Sequence, residues 1–338
     1  MKKTITLAHG SGGKLAHKLI HDVFMNYFEN DILLKQTDSA ILPGIEGKQL
    51  ALTTDAYVVQ PIFFPGGDIG KLAVCGTIND LAVSGAEPLY LTASFVLEEG
   101  LHVDDLIRIV QSMAAEAHKA GVKIVAGDTK VVNHGQCDKL YITTTGLGTL
   151  KPEFVTISTG EEIKSGDAIL INGPIANHGM AIISSREGLT VNGSIQSDCA
   201  SLNDFIQSLL ETGIHIKFMR DATRGGVATI LAETVQMTGL GIEINEDHIP
   251  IAEPTLGLCE LLGFDPLYVA NEGKVIIIVP EEEKEKALLL MQNHPDGSLS
   301  SIIGEVTTDH PGTLVLNTAI GGQTVLGMLS GEQLPRIC

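Results

Sequence analysis

Residues 103–130 read VDDLIRIVQSMAAEAHKAGVKIVAGDTK. Leu106, Ile107, Val110, Met113, Ala114 and Ala117 recur three and four residues apart, which predicts a helix with one apolar face over Val103–Ala120. Gly121 stands where a helix end takes left-handed backbone. Val122–Ala126 is a short apolar run suited to a buried strand, and it leads straight into Gly127-Asp128-Thr129-Lys130. A helix, a tight turn and a strand in succession point to an α/β or α+β chain.

The flanking sequence continues the alternation. Upstream, Gln49–Thr54 reads as a strand ending at Asp55, and Leu89–Leu97 as another. Between them, Asp68–Ala86 carries Ile69, Leu72, Ala73, Leu81 and Ala82 near helical spacing, although Gly76 and Gly85 weaken that pattern. Leu140–Gly148 is a β-branched strand. Lys151-Pro152-Glu153 and the polar stretch to Lys164 mark a boundary. Beyond it, strands are expected at Ala168–Ile171, Gly241–Ile244 and Lys274–Val279. Helices are expected from Asn177, Leu202, Gly226 and Glu281. The expected organisation is an N-terminal domain over 1–152, a C-terminal domain over 153–328 and a mobile tail over 329–338.

Composition narrows the function. The 338 residues hold 22 Lys+Arg against 41 Asp+Glu, a net charge of −19, with 44% apolar residues. Such a chain buries a core, and its acidity argues against general nucleic-acid binding. Aromatics are 4% and Trp is absent, so no base-stacking platform is expected. No apolar run reaches the roughly 18 residues of a membrane span. The opening Met1-Lys2-Lys3-Thr4 does not read as a signal peptide. Cys75, Cys137, Cys199, Cys259 and Cys338 lie far apart without a CxxC pair. Neither a zinc cluster nor a secreted disulfide framework is expected, and the reading is a reduced, cytoplasmic protein.

Several segments carry chemistry. In His9-Gly10-Ser11-Gly12-Gly13-Lys14, glycines let backbone N–H groups approach an anion and Lys14 adds a cation, although neither a Walker A loop nor GxGxxG is present. Taken alone, the segment reads more readily as a flexible end. Asp38, Asp55, Asp80, Asp128 and Asp221 close apolar segments, and strand-end carboxylates suit Mg²⁺. Singly, each reads as a turn or cap residue. Asp221-Ala222-Thr223-Arg224-Gly225-Gly226 opens either an anion site or a plain capped helix. Asn271-Glu272-Gly273 reads as a turn. His17 and His21 are one helical turn apart, but no third metal ligand is near them in sequence. The internal cysteines read as small core residues. Cys338 follows Pro335-Arg336-Ile337, where a thiol on an arm can be carried between sites, although by residue type alone it reads as an incidental cysteine.

Together these stretches resemble the HypE family of hydrogenase maturation proteins, within the PurM-like ATP-binding superfamily. The matching residues are His9–Lys14, Thr53–Asp55, GTINDLAVSGA at 76–86, GDTKVV at 127–132, FMRDATRGG at 218–226, NEG at 271–273 and the terminal PRIC. The PRIC ending is the most specific of them. The resemblance implies two α/β domains and a homodimer with ATP near its interface. It also implies an ATP-dependent dehydration of an S-carboxamide on Cys338 to an S-cyano group. HypF would load the carbamoyl group, and a HypC–HypD complex would receive the cyanide for the iron of [NiFe]-hydrogenase.

By the same resemblance Asp38, Asp55, Asp80 and Asp221, with Asp128 as a further candidate, would hold Mg²⁺. Gly12, Gly13, Lys14, Asp55, Asn79, Asp80, Gly127, Asp128, Thr129 and Lys130 would meet the nucleotide. Glu272 is the first candidate for the base, with Lys130 polarising the carbamoyl group and His134 as a weaker alternative. Two competing readings are a selenophosphate synthetase or thiamine-monophosphate kinase, and a non-catalytic acidic scaffold. Against the selenophosphate synthetase, the N-terminal glycine loop carries Ser11 and no cysteine.

Overall fold

The structure, a computed structural model, describes residues 4–6, 9, 18–31, 48–189, 195–329 and 337. The expectations for Gly12, Gly13, Lys14, His17, Asp38 and Cys338 lie outside the described residues.

Residues 49–150 build a four-stranded sheet from β1 (Gln49–Tyr57), β4 (Glu87–Glu98), β5 (Lys123–Val132) and β6 (Leu140–Leu150). The strand order is β1-β6-β4-β5, with β4 and β5 parallel and the other pairs antiparallel. A small hairpin, β2 (Phe63–Phe64) and β3 (Gly67–Asp68), leads into helix α1 (Ile69–Val83). Asp68 caps that helix, its Oδ1 accepting from the backbone N–H of Gly70 at 2.7 Å and Lys71 at 3.1 Å.

α1 is apolar around nearly its whole circumference, because it runs through the interior. That explains why its helical periodicity is faint in the sequence. Its glycines are there for close approach. A Cβ on Gly70 would collide with the backbone of Ile109, and one on Gly76 would collide with the Tyr57 hydroxyl. Helix α2 (Val103–Lys119) buries Leu106, Ile109, Val110, Met113 and Ala117 and ends on Gly121 at φ +72°. Of the expected apolar face, Ile107 and Ala114 are only partly buried.

The second half builds a seven-stranded sheet. In chain order the elements are β7 (Ala168–Ile171), α3 (Asn177–Glu187), α4 (Asn203–Leu210), β8 (Phe218–Asp221), α5 (Gly226–Thr238), β9 (Gly241–Asn245) and α6 (Glu253–Leu262). They continue with β10 (Val275–Val279), α7 (Lys284–Gln292), β11 (Ser301–Thr307), β12 (Leu314–Asn317) and β13 (Gln323–Leu326). The strand order is β13-β12-β9-β11-β7-β10-β8. β8, β11, β12, β13 and α6 are additions to the expected elements. β8 and β11 pair with segments distant in the chain that no local window contains, whereas β12 and β13 form a short hairpin that joins the sheet through β9.

The two halves share buried contacts. Ala82 and Val83 of α1 sit in one apolar cluster with Leu202, Phe205 and Ile206. The Gln207 side chain donates to the Ala86 carbonyl at 3.1 Å, and the Ser201 hydroxyl donates to Glu116 at 2.7 Å. These contacts fix α1 and α2 against α4 and the residues just before it.

Candidate active site

Three elements bring a carboxylate to one region. Asp55 lies in β1, Asp80 in α1 and Asp221 at the end of β8. Of the three, only Asp221 closes a strand. Asp55 and Asp128 lie inside strands and Asp80 lies inside a helix, which corrects the expectation of strand-end positions. β1 keeps pairing with β6 as far as Tyr57 opposite Ile142, two residues past Asp55.

The Thr53 hydroxyl donates to Asp80 Oδ2 at 2.8 Å, and the Tyr57 hydroxyl lies 3.3 Å from Asp55 Oδ2. Burial, with the neighbouring Asp221 and Asp55 charges, pushes the Asp80 carboxyl up to about 7. Burial chiefly, with Asp55 adding to it, pushes Asp221 up to about 6. Crowded acids in a low-dielectric setting resist ionisation. A hard divalent cation would relieve that cost, so the donor set fits Mg²⁺. Among the described residues no three His, Cys, Asp or Glu side chains are grouped so that they could hold a metal ion by themselves. The set therefore suits an ion that takes its remaining ligands from phosphate and water.

Asn271-Glu272-Gly273 is more than a turn. Asn271 is fully buried. Its amide nitrogen donates to the Ala222 and Val269 carbonyls at 2.7 and 3.2 Å, and its oxygen accepts from the Ala176 N–H at 2.7 Å. These bonds hold Glu272 inside the protein, 3% exposed. Its Oε1 has no hydrogen-bond partner among the described residues. Burial first, then the acidic neighbours Cys199, Asp221, Asp198 and Asp55, hold its carboxyl well above the usual carboxylate range.

Asn79 joins the carboxylates to this segment. Its Nδ2 donates to the carbonyls of Ala200 and Glu272, both at 3.0 Å, and its Oδ1 accepts from the Leu202 N–H at 2.8 Å. Its side chain is thus committed to linking the two halves, although the expectation placed it on the nucleotide.

Gly127, Asp128, Thr129 and Lys130 lie on β5, at the opposite edge of the sheet from β1. Asp128 is ion-paired with Lys130 at 2.8 Å, and both side chains are exposed. Within one chain the structure sets them apart from the Asp55, Asp80 and Asp221 group. His134 is exposed and lies 3.5 Å from Glu98. Neither Lys130 nor His134 bonds to Glu272.

Sequence reasoning missed His178 and the segment Ser197–Ala200 with its Asp198. Asp198 Oδ1 accepts the Glu272 N–H at 3.1 Å, while its buried Oδ2 has no hydrogen-bond partner among the described residues and lies 3.7 Å from Lys274 Nζ. His178 is fully buried, with Nδ1 2.8 Å from the Ser197 hydroxyl and Nε2 2.9 Å from the carbonyl oxygen of Ile337. Ile337 is 4% exposed and belongs to the same apolar cluster as Phe64, Cys199 and Ala270. Cys75 and Cys199 are buried free thiols, as expected of core cysteines. Ser197-Asp198-Cys199-Ala200 carries only small or turn-forming residues, which hid its role.

Comparison with known proteins supplies the remaining findings. The AIR synthase related protein N-terminal domain matches residues 36–150, and the corresponding C-terminal domain matches 164–317. The carbamoyl dehydratase HypE of Rhodobacter capsulatus is 46% identical over 337 residues, covering 99% of this chain and 98% of that protein. A crystal structure of hydrogenase maturation protein HypE in complex with ATP superposes with a TM-score of 0.94 at 46% identity, covering 99% of this chain and 100% of the other. A chain of a HypE–HypF complex superposes at 0.79 with 46% identity, covering 92% and 99%. No helix among the described residues is long and apolar enough to cross a membrane.

Proposed function

Because the chain belongs to the HypE family of carbamoyl dehydratases, on the AIR synthase related fold, we propose that it dehydrates a carbamoyl group carried on its own Cys338 to an S-cyano group, for hydrogenase maturation. Membership sets aside the kinase and scaffold readings. The observation that carries the proposal is the buried Glu272 carboxyl, unpartnered at Oε1 and within electrostatic reach of Asp221, Asp198 and Asp55.

An amide oxygen is a poor leaving group. ATP, when bound, supplies the phosphoryl group that turns this oxygen into a good one, and Mg²⁺ supplies charge neutralisation. The chain's own residues do the rest. Asp55, Asp80 and Asp221 would hold the cation, with Asp38 and Asp128 as further ligands. Gly12, Gly13 and Lys14 meet the phosphates, as do Gly127, Thr129 and Lys130. The carbamoyl nitrogen must lose both its protons on the way to a nitrile. Glu272, once ionised, is the base for this step, because its free oxygen has no other partner to satisfy. Lys130 polarises the carbamoyl oxygen, and His134 is the weaker alternative base.

The active unit is a homodimer in this reading. Alternation along β1 leaves Leu50 63% and Leu52 73% exposed, on the sheet face that α1 does not cover. A second copy seated there buries them and completes the nucleotide site with the β5 residues. HypF loads the carbamoyl group and a HypC–HypD complex takes the cyanide, all in the cytoplasm. The division is 1–152 for pairing and nucleotide, 153–328 for the second domain and 329–338 for the carrier arm.

The test is intact-mass spectrometry of carbamoylated protein given ATP and Mg²⁺. Loss of one water from the C-terminal peptide is expected. An unchanged mass with confirmed carbamoylation refutes the assignment.

A further inference from the structure

We propose that His178 is the positioning residue that docks the carrier arm, gripping the carbonyl of the peptide that joins Ile337 to Cys338. This inference rests on the carrier role proposed for Cys338, and it adds a residue and a contact to that role.

The hydrogen bonds around His178 form one directed chain. The Cys199 N–H donates to Ser197 Oγ at 3.1 Å. Ser197 Oγ lies 2.8 Å from His178 Nδ1, and Nε2 lies 2.9 Å from the Ile337 oxygen. A carbonyl oxygen only accepts, so Nε2 must carry the proton. With the ring neutral, Nδ1 is then the acceptor of the Ser197 hydroxyl. Burial favours the neutral ring. Phe64 meets the ring edge-on at 5.5 Å between centroids, which fixes the ring plane. With the arm docked, the imidazole is therefore held in one tautomer and one orientation.

The consequence concerns where the cargo sits. The gripped carbonyl is bonded directly to the nitrogen of Cys338, so the grip acts one peptide from the carrier sulfur. Ile337 supplies the apolar anchor, and the segment that orients His178 also contains Asp198, whose Oδ1 holds the Glu272 N–H. One short stretch, 197–199, thus orients both the arm's receptor and the residue assigned as base.

The experiment is iodoacetamide labelling of the full chain, with the C-terminal peptide quantified by mass spectrometry, alongside single-turnover dehydration of carbamoylated protein. His178→Phe keeps the ring and removes the donor, whereas His178→Gln restores a donor. Cys338 of His178→Phe is expected to label about tenfold faster than wild type, the factor corresponding to one buried hydrogen bond worth about 1.4 kcal/mol. Its dehydration rate should fall with an unchanged KM for ATP, and His178→Gln should recover most of both losses. Ser197→Ala, which frees the ring to change tautomer, should show a smaller effect in the same direction. If His178→Phe does not fold, Ser197→Ala decides alone. Wild-type labelling rates in a folded His178→Phe, or in Ser197→Ala when that variant decides, would overturn the proposal. A wild-type protein that protects Cys338 but does not dehydrate its carbamoyl group would defeat the proposed function and leave the grip standing.

Discussion

Asn79 on α1 donates a hydrogen bond to the backbone carbonyl of Glu272, 3.0 Å away and 193 residues later in the chain. One residue further along α1 is Asp80, among the crowded carboxylates. The amide thus ties the assigned cation site to the assigned base. Neither group can move without straining a buried polar contact.

Replacing Asn79 with Ala leaves the Leu202 N–H and two carbonyls without their partner. Unsatisfied buried groups cost about 1–3 kcal/mol each, reduced where water can enter. A loss of at least about 2 kcal/mol is expected, measured by urea unfolding. A change below about 0.5 kcal/mol would mean that the two halves are not coupled through this side chain.

Asp80 should trade stability for binding. Its folded-state pKa of about 7 stands above the ordinary 3.8, so the folded chain holds a proton that the unfolded chain has already released. The stabilisation is fully present below about pH 4 and is lost as pH rises through 7. The metal-free protein should therefore melt at lower temperature at pH 8 than at pH 6. Asp80→Asn should flatten that slope, raise the melting temperature at pH 8 and weaken Mg²⁺–ATP binding at least tenfold. Calorimetry at the two pH values checks all three outcomes.

Mg²⁺ affinity should itself rise with pH between about 6 and 7. Protons compete for Asp221, pushed up to about 6, and Asp80, pushed up to about 7. Isothermal titration across this range should show proton release that shrinks toward pH 8. Binding without proton release at pH 6 would remove these two residues from the ion.

Glu272→Gln keeps the shape and removes the base. Nucleotide binding should stay within threefold of wild type, while single-turnover nitrile formation slows by about 10²–10⁴-fold. An unchanged rate would transfer the role to Lys130 or His134.

Leu52→Asp places a charge on the open sheet face, where the side chain is 73% exposed in one copy. Sedimentation should report monomers at concentrations where wild type is dimeric, with little change in far-ultraviolet circular dichroism. Dimers of undiminished strength would place the interface elsewhere.

Much of this protein is determined locally. The 103–130 stretch carries its own periodicity, capping glycine and strand, and the structure shows helix, turn and strand there. Glu272 and the aspartates are singled out by the family resemblance, because by residue type alone each reads as a turn or cap residue. Tertiary structure alone decided which of them meet. Asp55, Asp80 and Asp221 gather because β1, α1 and β8 pack together, whereas Asp128 stands at the far edge of the sheet. The all-round burial of α1 erased its periodicity, and its glycines became contacts with α2 and β1. His178 and Asp198 left no local trace. Their roles come from a hydrogen-bond acceptor and a buried carboxylate contributed by segments far away in sequence. Side-chain type and spacing record what a segment prefers by itself, but the company a buried polar group keeps is set by chain segments that the fold brings from elsewhere.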